Sequence, residues 1–268
     1  MEFQMQNPDI SITSLILCFL LLAIPLVISY RIKLYIAWRT INSVTRMTVQ
    51  LFLAGIFLTF IFDLNNGFLN LVWVGIMIFF ASYTAIKSAD LNVKKLFVPI
   101  ILAIGFSNLA VLLYLNKFVI NLENLLDARY LIPIAGMLLG NTLRGNVVGI
   151  GDFYSDIKRN ENRYLYSLSL GAGMYEAVLP YLRKSLKTAV KPTLANIASV
   201  GIVALPGMMT GQILGGASPL VAIKYQIAIM IAIYVSTLLS TTLGILTSFR
   251  TAFDEYGLVN KELYEKNA

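Results

Sequence analysis

Gly149-Ile150-Gly151-Asp152 is the short pattern in this chain that would spell out enzyme chemistry. It matches the GxGD pattern of intramembrane aspartyl proteases, in which two membrane-embedded carboxylates share one proton because adjacent negative charges resist joint ionisation. Such a site needs a second aspartate inside another apolar segment. Asp63 and Asp90 fall at segment ends, and Asp152 itself opens a charged run with Asp156, Lys158 and Arg159. In a chain with 18 glycines, two fixed glycines carry little information.

The other candidates are polar or soft side chains inside apolar stretches: Asn108, Asn141, Thr142, Met208, Met209, Thr210, Gln212 and Gln226. The polar ones either converge on a pathway or hydrogen-bond between helices. The thioethers of Met208 and Met209 suit soft ions such as Cu(I) better than ferrous or aluminium ions. Beside glycines they serve equally as gap-fillers. Pro206-Gly207 precedes them in mid-segment, where the proline cannot donate to the carbonyl of Ile202 and breaks the turn. A break of this kind either lines a substrate path or only kinks the helix. The pathway candidates are therefore Asn141, Pro206, Gly207, Met208, Met209, Gln212 and Gln226.

Several chemistries are excluded. Histidine is absent, which removes imidazole zinc sites, His-dependent triads and His proton relays. Cys18 is the single cysteine, so no disulfide forms within one chain. No GxxxxGK[ST] stretch occurs, so no nucleotide is held in the P-loop manner. No cofactor is expected on this chain; ATP with Mg, if it supplies the power, sits on a partner ATPase.

The elements that position these residues belong in a bilayer. Hydrophobic residues make up 57% of the 268 and charged ones 13%, with a mean hydropathy of +0.74; soluble domains carry about 25% charged residues. Apolar windows near the ~20 residues that cross hydrocarbon recur along the length. Seven are read, at 10–30, 49–65, 68–86, 97–118, 130–148, 193–215 and 219–248. The first reads as a span and not a signal peptide, because Glu2 and Asp9 precede it in place of a basic region. Segments 31–48, 87–95, 144–192 and 249–268 hold 18 of the 21 Lys and Arg, leaving Lys117, Arg129 and Lys224 on the other side. The positive-inside rule then puts the N-terminus outside and the C-terminus in the cytoplasm. The same asymmetry explains the net charge of +7, so no nucleic-acid partner is needed.

Between the spans, 31–48 reads as an interfacial helix, with Arg39, Asn42, Ser43 and Arg46 on one face and Leu34, Trp38 and Ile41 on another. The stretch 119–129 is long enough for a short outer helix. Residues 150–192 form a cytoplasmic arm, and within it 164–188 reads as an amphipathic coupling helix between spans five and six. Glycines spaced four apart (Gly136/Gly140, Gly145/Gly149, Gly207/Gly211/Gly215) mark places where helix backbones can approach closely.

Ser169-Leu170-Gly171-Ala172, Ala189, Pro192, Gly201, Leu205-Pro206-Gly207-Met208-Met209 with Gly211, and Ala222 with Lys224-Tyr225-Gln226 resemble the permeases of bacterial iron-export ABC transporters. Plant aluminium-sensitivity permeases look similar. Arg46 with Gln50-Leu51, and Gly140-Asn141, extend the resemblance over most of the chain. It implies a multi-pass subunit of the bacterial cell membrane, driven by a cytoplasmic ABC ATPase, pairing as a permease homodimer and exporting iron for metal homeostasis. The layout of 167–180 is also similar to the coupling loop of ABC importers, with Tyr164-Leu165-Tyr166 where the leading Glu-Ala-Ala would stand. Ser169, Gly171, Ala172, Tyr175 and Glu176 are the docking candidates on that basis.

The sequence thus reads as an all-α integral membrane protein of about seven transmembrane helices, a single permease domain over 1–268, and a transporter subunit that is not itself an enzyme. The rivals are an aspartyl protease using Asp152 and a permease for a non-metal solute.

Overall fold

The computed structural model describes residues 10–203, 205–254 and 256–264. Glu2 and Asp9, used above for the first window, and Lys266 of the basic count lie outside them. Among these residues ten α-helices run in order: α1 Ile12–Leu20, α2 Ala23–Arg31, α3 Ala37–Leu64, α4 Gly67–Ser88, α5 Val93–Tyr114, α6 Ala128–Arg159, α7 Glu161–Ser169, α8 Met174–Ser199, α9 Gly207–Leu214 and α10 Pro219–Ala252. Among the described residues there are only isolated β-bridges and no sheet.

Among the described residues five stretches are long and apolar enough to cross a membrane: Ile12–Arg31, Ala37–Leu64, Gly67–Ser88, Val93–Val119 and Pro219–Ala252. The first is α1 and α2 joined by a tight turn. Pro25 has no N–H for the Leu21 carbonyl, and Leu21 and Leu22 instead bond back three residues, to Cys18 and Phe19. The predicted interfacial helix at 31–48 is not separate. Nothing between Thr48 and Val49 stops propagation, so 37–48 is the opening of α3, whose 28 residues reach ~42 Å.

The windows 130–148 and 193–215 are replaced by longer or interrupted elements. The first lies inside α6, 32 residues long and laced with Asn141, Arg144 and Asn146. The second is split: α8 ends at Ser199, and α9 begins after Pro206, with Gly201 at φ +89° between them. Pro206 therefore caps the start of an eight-residue helix, where a missing N–H costs nothing, and does not interrupt a continuous helix. The segment read as a surface coupling helix is also built differently. Ala177, Val178, Tyr181, Leu182, Ser185, Ala189, Val190 and Thr193 form a buried stripe on α8, which packs against α6 and α10. The expected outer helix at 119–129 is a π-helical turn, Leu115–Val119, followed by irregular chain.

The core is a bundle of α4, α5, α6, α8 and α10, with α10 touching α5, α6, α8 and α9. Helices α1–α3 lie outside it; α1 buries no residue, α2 only Ser29 and α3 only Ile61. Their apolar faces look outward, as surface facing lipid should.

Candidate functional site: a buried polar seam and an exposed corner

The bundle is tightest where α6, α8 and α10 meet. A Cβ placed on Gly145 would overlap Cγ2 of Thr237, and one on Gly149 would lie 2.5 Å from Cγ2 of Thr241 and 2.9 Å from Cβ of Ala189. This Gly145/Gly149 pair is thus a true close-approach groove. Gly136 and Gly140 are looser and line an open cleft of about 490 Å³ with Trp73, Met77 and Phe80. Gly207 and Gly211 face open space.

Beside the glycine junction runs a seam of buried polar side chains between α5, α6 and α10. Thr142 Oγ1 donates to Asn108 Oδ1 at 3.2 Å and lies 3.4 Å from Ser236 Oγ. Asn146 Nδ2 donates to Ser240 Oγ and to the Thr142 carbonyl, each at 2.8 Å. Asn108 Nδ2 donates to the Ile104 carbonyl. Hydrogen bonds between apolar helices account for part of this inventory. They leave Asn146 Oδ1, Thr237 Oγ1 and Ser107 Oγ buried without a protein partner.

Of the predicted pathway residues, Asn141 is half-buried and donates to its own helix, at the Met137 carbonyl. Met209 is buried, Met208 packs on the core, and α9 lies against α10, which carries the buried Gln226. The side-chain oxygens of Gln212 and Gln226 are enclosed without partners. Asn108 and Thr142 meet in a hydrogen bond between α5 and α6. Asn146, Ser236, Thr237 and Ser240 were not singled out from sequence. For Ser236 and Ser240 the signal was the four-residue rhythm Ser236, Ser240, Gly244, Ser248 on α10.

The two GxGD glycines play packing roles. Gly149 belongs to the junction, a Cβ on Gly151 would sit 3.5 Å from Ala89, and Asp152 is exposed. Its neighbour Asp156 pairs with Lys184 of α8 at 2.8 Å. Among the described residues no group of three or more His, Cys, Asp or Glu could hold a metal ion.

The docking candidates gather at the α7–α8 corner. Ser169, Gly171, Tyr175 and Glu176 are exposed and Ala172 is half-buried. Gly171 takes φ +88°, a conformation that favours glycine. Glu176 turns back to accept from the Gly173 N–H at 3.1 Å, closing the first turn of α8. Tyr166 and Leu170, also exposed, extend the corner as an apolar patch.

The C-terminal chain straps this end of the bundle. Tyr164 Oη donates to the Gly257 carbonyl at 2.6 Å, and Tyr264 Oη to the Tyr154 carbonyl at 3.0 Å. Asn92 donates through its N–H to the Leu263 carbonyl and through Nδ2 to that of Glu262, and Lys95 pairs with Glu262 at 2.6 Å. Lys158 Nζ lies 4.1 Å over the Tyr264 ring. Burial pushes both phenols up to about 12, with Asp254 adding to the effect at Tyr164 and Glu161 at Tyr264.

A helical bundle whose outer helices are apolar and long enough to cross a bilayer defines a multi-pass membrane protein. The chain belongs to the family described as "Uncharacterised protein family (UPF0014)", whose model matches residues 12–253. It is 37% identical to the protein ALUMINUM SENSITIVE 3 of Arabidopsis thaliana, over 76% of this chain and 73% of that one. It is 34% identical to the UPF0014 membrane protein slr1647 of Synechocystis, over 79% and 82%. With the "Probable iron export permease protein FetB" of Escherichia coli K12 it shares 30% identity over 98% of this chain and 100% of that one. No solved structure matches significantly.

Proposed function

We propose that this chain is the permease subunit of an ABC-type exporter of metal ions such as iron, working as two copies with two cytoplasmic ATPase subunits in a bacterial cell membrane. The full-length similarity to an export permease supports the class and the substrate. Taking α1–α2 as one crossing, α3, α4, α5, α6 and α10 as five more, and the chain from the end of α8 through α9 as another gives seven and leaves Arg183, Lys184, Lys187 and Lys191 on the cytoplasmic side. The α7–α8 corner and the C-terminal strap then share the cytoplasmic side with most of the basic residues.

One observation carries the mechanism: the exposed corner is continuous with α8, and Ala189 of α8 sits against the Gly149 position where α6 meets α10. Displacement of the corner by a closing ATPase pair moves α8 lengthwise or sideways. Ala189 then leaves the junction, and α6 and α10 separate along the polar seam. Transport is driven only insofar as the two states bind substrate differently. Reconstitution of the permease with its ATPase tests the reading. ATP hydrolysis should rise on addition of ferrous ion, and amino acids or other small organic solutes should leave it unchanged. Stimulation by organic solutes alone would move the chain to the non-metal reading.

A further inference from the structure

We infer that the groove between the outer halves of α5 and α10 binds one phospholipid, with its phosphate on Lys224 and an acyl chain laid inward. This goes beyond the permease proposal, which serves only to name the leaflet. The groove holds about 640 Å³, and Ala110, Tyr114, Val119, Lys224, Ile231 and Val235 are among its lining residues. Among the described residues Lys224 is the one charged side chain in that lining. From Lys224 to Val235 α10 advances eleven residues, about 16 Å along its axis. That is half of the ~30 Å hydrocarbon core, the depth of one leaflet. The α5 side is shaped by the π-helical turn Leu115–Val119. Residues five apart on an α-helix lie about 140° apart round the axis. The wider turn brings Tyr114 and Val119 into the same lining. It is pinned in place: the Ile120 N–H donates to the Leu115 carbonyl at 2.9 Å, and Asn116 Nδ2 to the Leu125 carbonyl at 3.3 Å.

The occupant follows from charge. Lys224 is the sixth residue of α10, is exposed, and has no hydrogen-bond or ion-pair partner among the described residues. A lysine on a lipid-facing helix is costly unless its ammonium reaches a counter-charge at head-group level. No carboxylate lines the groove, either to supply that charge or to take the ammonium of a zwitterionic head. A head with net negative charge, such as phosphatidylglycerol, therefore fits best. Tyr114, exposed at the outer end of α5, adds a phenol of the kind that sits among head groups. Within lipid the tail gains only packing contacts, so the lysine–phosphate pair sets the preference. A second copy of the chain is a poorer occupant. A two-fold contact centred here would set two uncompensated Lys224 side chains face to face.

The test is native mass spectrometry of the delipidated full-length permease, titrated with phosphatidylglycerol or with phosphatidylcholine of the same chains. Wild type should hold one phosphatidylglycerol more tightly than phosphatidylcholine. Lys224→Gln should weaken phosphatidylglycerol about fivefold, the worth of one lysine at an anionic lipid surface, and erase most of that preference. Lys117→Gln, exposed on the π-helical turn but outside the lining, should bind as wild type. Ala110→Trp fills the groove from an exposed position and should weaken both lipids. Thermal melting shows that each variant is folded, and Lys224→Gln decides alone if Ala110→Trp is not. Equal retention of the two lipids by wild type overturns the site, as does equal loss in Lys117→Gln and Lys224→Gln; either leaves general lipid contact. Dissociation of a permease dimer by Ala110→Trp, with lipid retention untouched, would give the groove to a second copy. None of these readouts depends on the ATPase or on the metal.

Discussion

Tyr164 and Gly257, 93 residues apart in sequence, are joined by a 2.6 Å hydrogen bond from the phenol to the carbonyl. The bond ties α7, the first element of the exposed corner, to a tail that also grips the α4–α5 turn through Asn92 and Lys95. A push on the corner is therefore shared between α8 and the α4–α5 hairpin.

Removing the hydroxyl in Tyr164→Phe should cost about 1 kcal/mol locally and free the tail without unfolding the bundle. Faster proteolysis near the exposed Tyr256 would report it. The pH dependence follows from the raised phenols. Both sit near 12 in the folded chain, above the value of about 10 expected when unfolded. Their contribution to tail docking is complete below pH 10 and is lost as the pH rises through about 12. Amide exchange in 253–264 should be flat from pH 6 to 9, after correction for intrinsic rates, and rise beyond that. Tail exchange that is already fast at neutral pH would remove the strap.

The glycine junction gives a sharper test. Gly145→Ala forces Cβ into Thr237 Cγ2 and should destabilise by roughly 1–3 kcal/mol. Thr237→Ser deletes the colliding methyl and should recover part of that loss in the double variant, a coupling that a double-mutant cycle on thermal unfolding reads directly. Gly211→Ala meets open space and should melt like wild type. Equal effects at 145 and 211 would mean that the junction is not a close contact.

Helical class and membrane character were legible because apolar windows and basic flanks are properties of composition. The Gly145/Gly149 groove was legible because close helix packing needs small residues at that spacing. What hydropathy misjudged was α8. Its buried stripe faces α6 and α10 while Arg183, Lys184, Lys187 and Lys191 point outward, so a window average sees a soluble amphipathic helix. The amphipathic pattern was read correctly, and the surface covering it was not. The same averaging hid the seam, since serine and threonine on α10 barely lower its hydropathy.

Orientation is checked by labelling. On a Cys18→Ser background, cysteine at the exposed Asn162 should react only with reagent admitted to the cytoplasm, and cysteine at the exposed Glu123 only from outside. The opposite pattern would invert the bundle and take the corner out of reach of any cytoplasmic ATPase.

At that corner, Leu170→Asp and Tyr175→Asp place charge on an exposed apolar patch without touching the α8 cap. Both should insert and melt normally yet lose the ATPase on co-purification. Glu176→Arg is a poorer probe, because it also removes the carboxylate that accepts from Gly173. Full ATPase recovery in both aspartate variants would place docking elsewhere.

The last prediction separates α9 from the seam as the substrate path. Met208→Leu and Met209→Leu preserve volume and should cost less than about 1.5 kcal/mol each, so any large loss of transport would come from the lost thioether. Gln212→Leu and Gln226→Leu remove oxygens that are enclosed without partners, which packing alone should tolerate. If the ion travels along the oxygen seam, the two methionine variants should export metal at close to the parental rate, while Asn146→Leu and Thr237→Val should not. Gln226 lies on the same buried face of α10 as Thr237, three turns nearer the start of the helix, and would act as the mouth of the seam. Its leucine variant should then lower transport with the seam variants and not behave like the methionine pair. Loss of export in Met208→Leu or Met209→Leu, with the seam variants unaffected, would return the path to α9 and point to a softer ion.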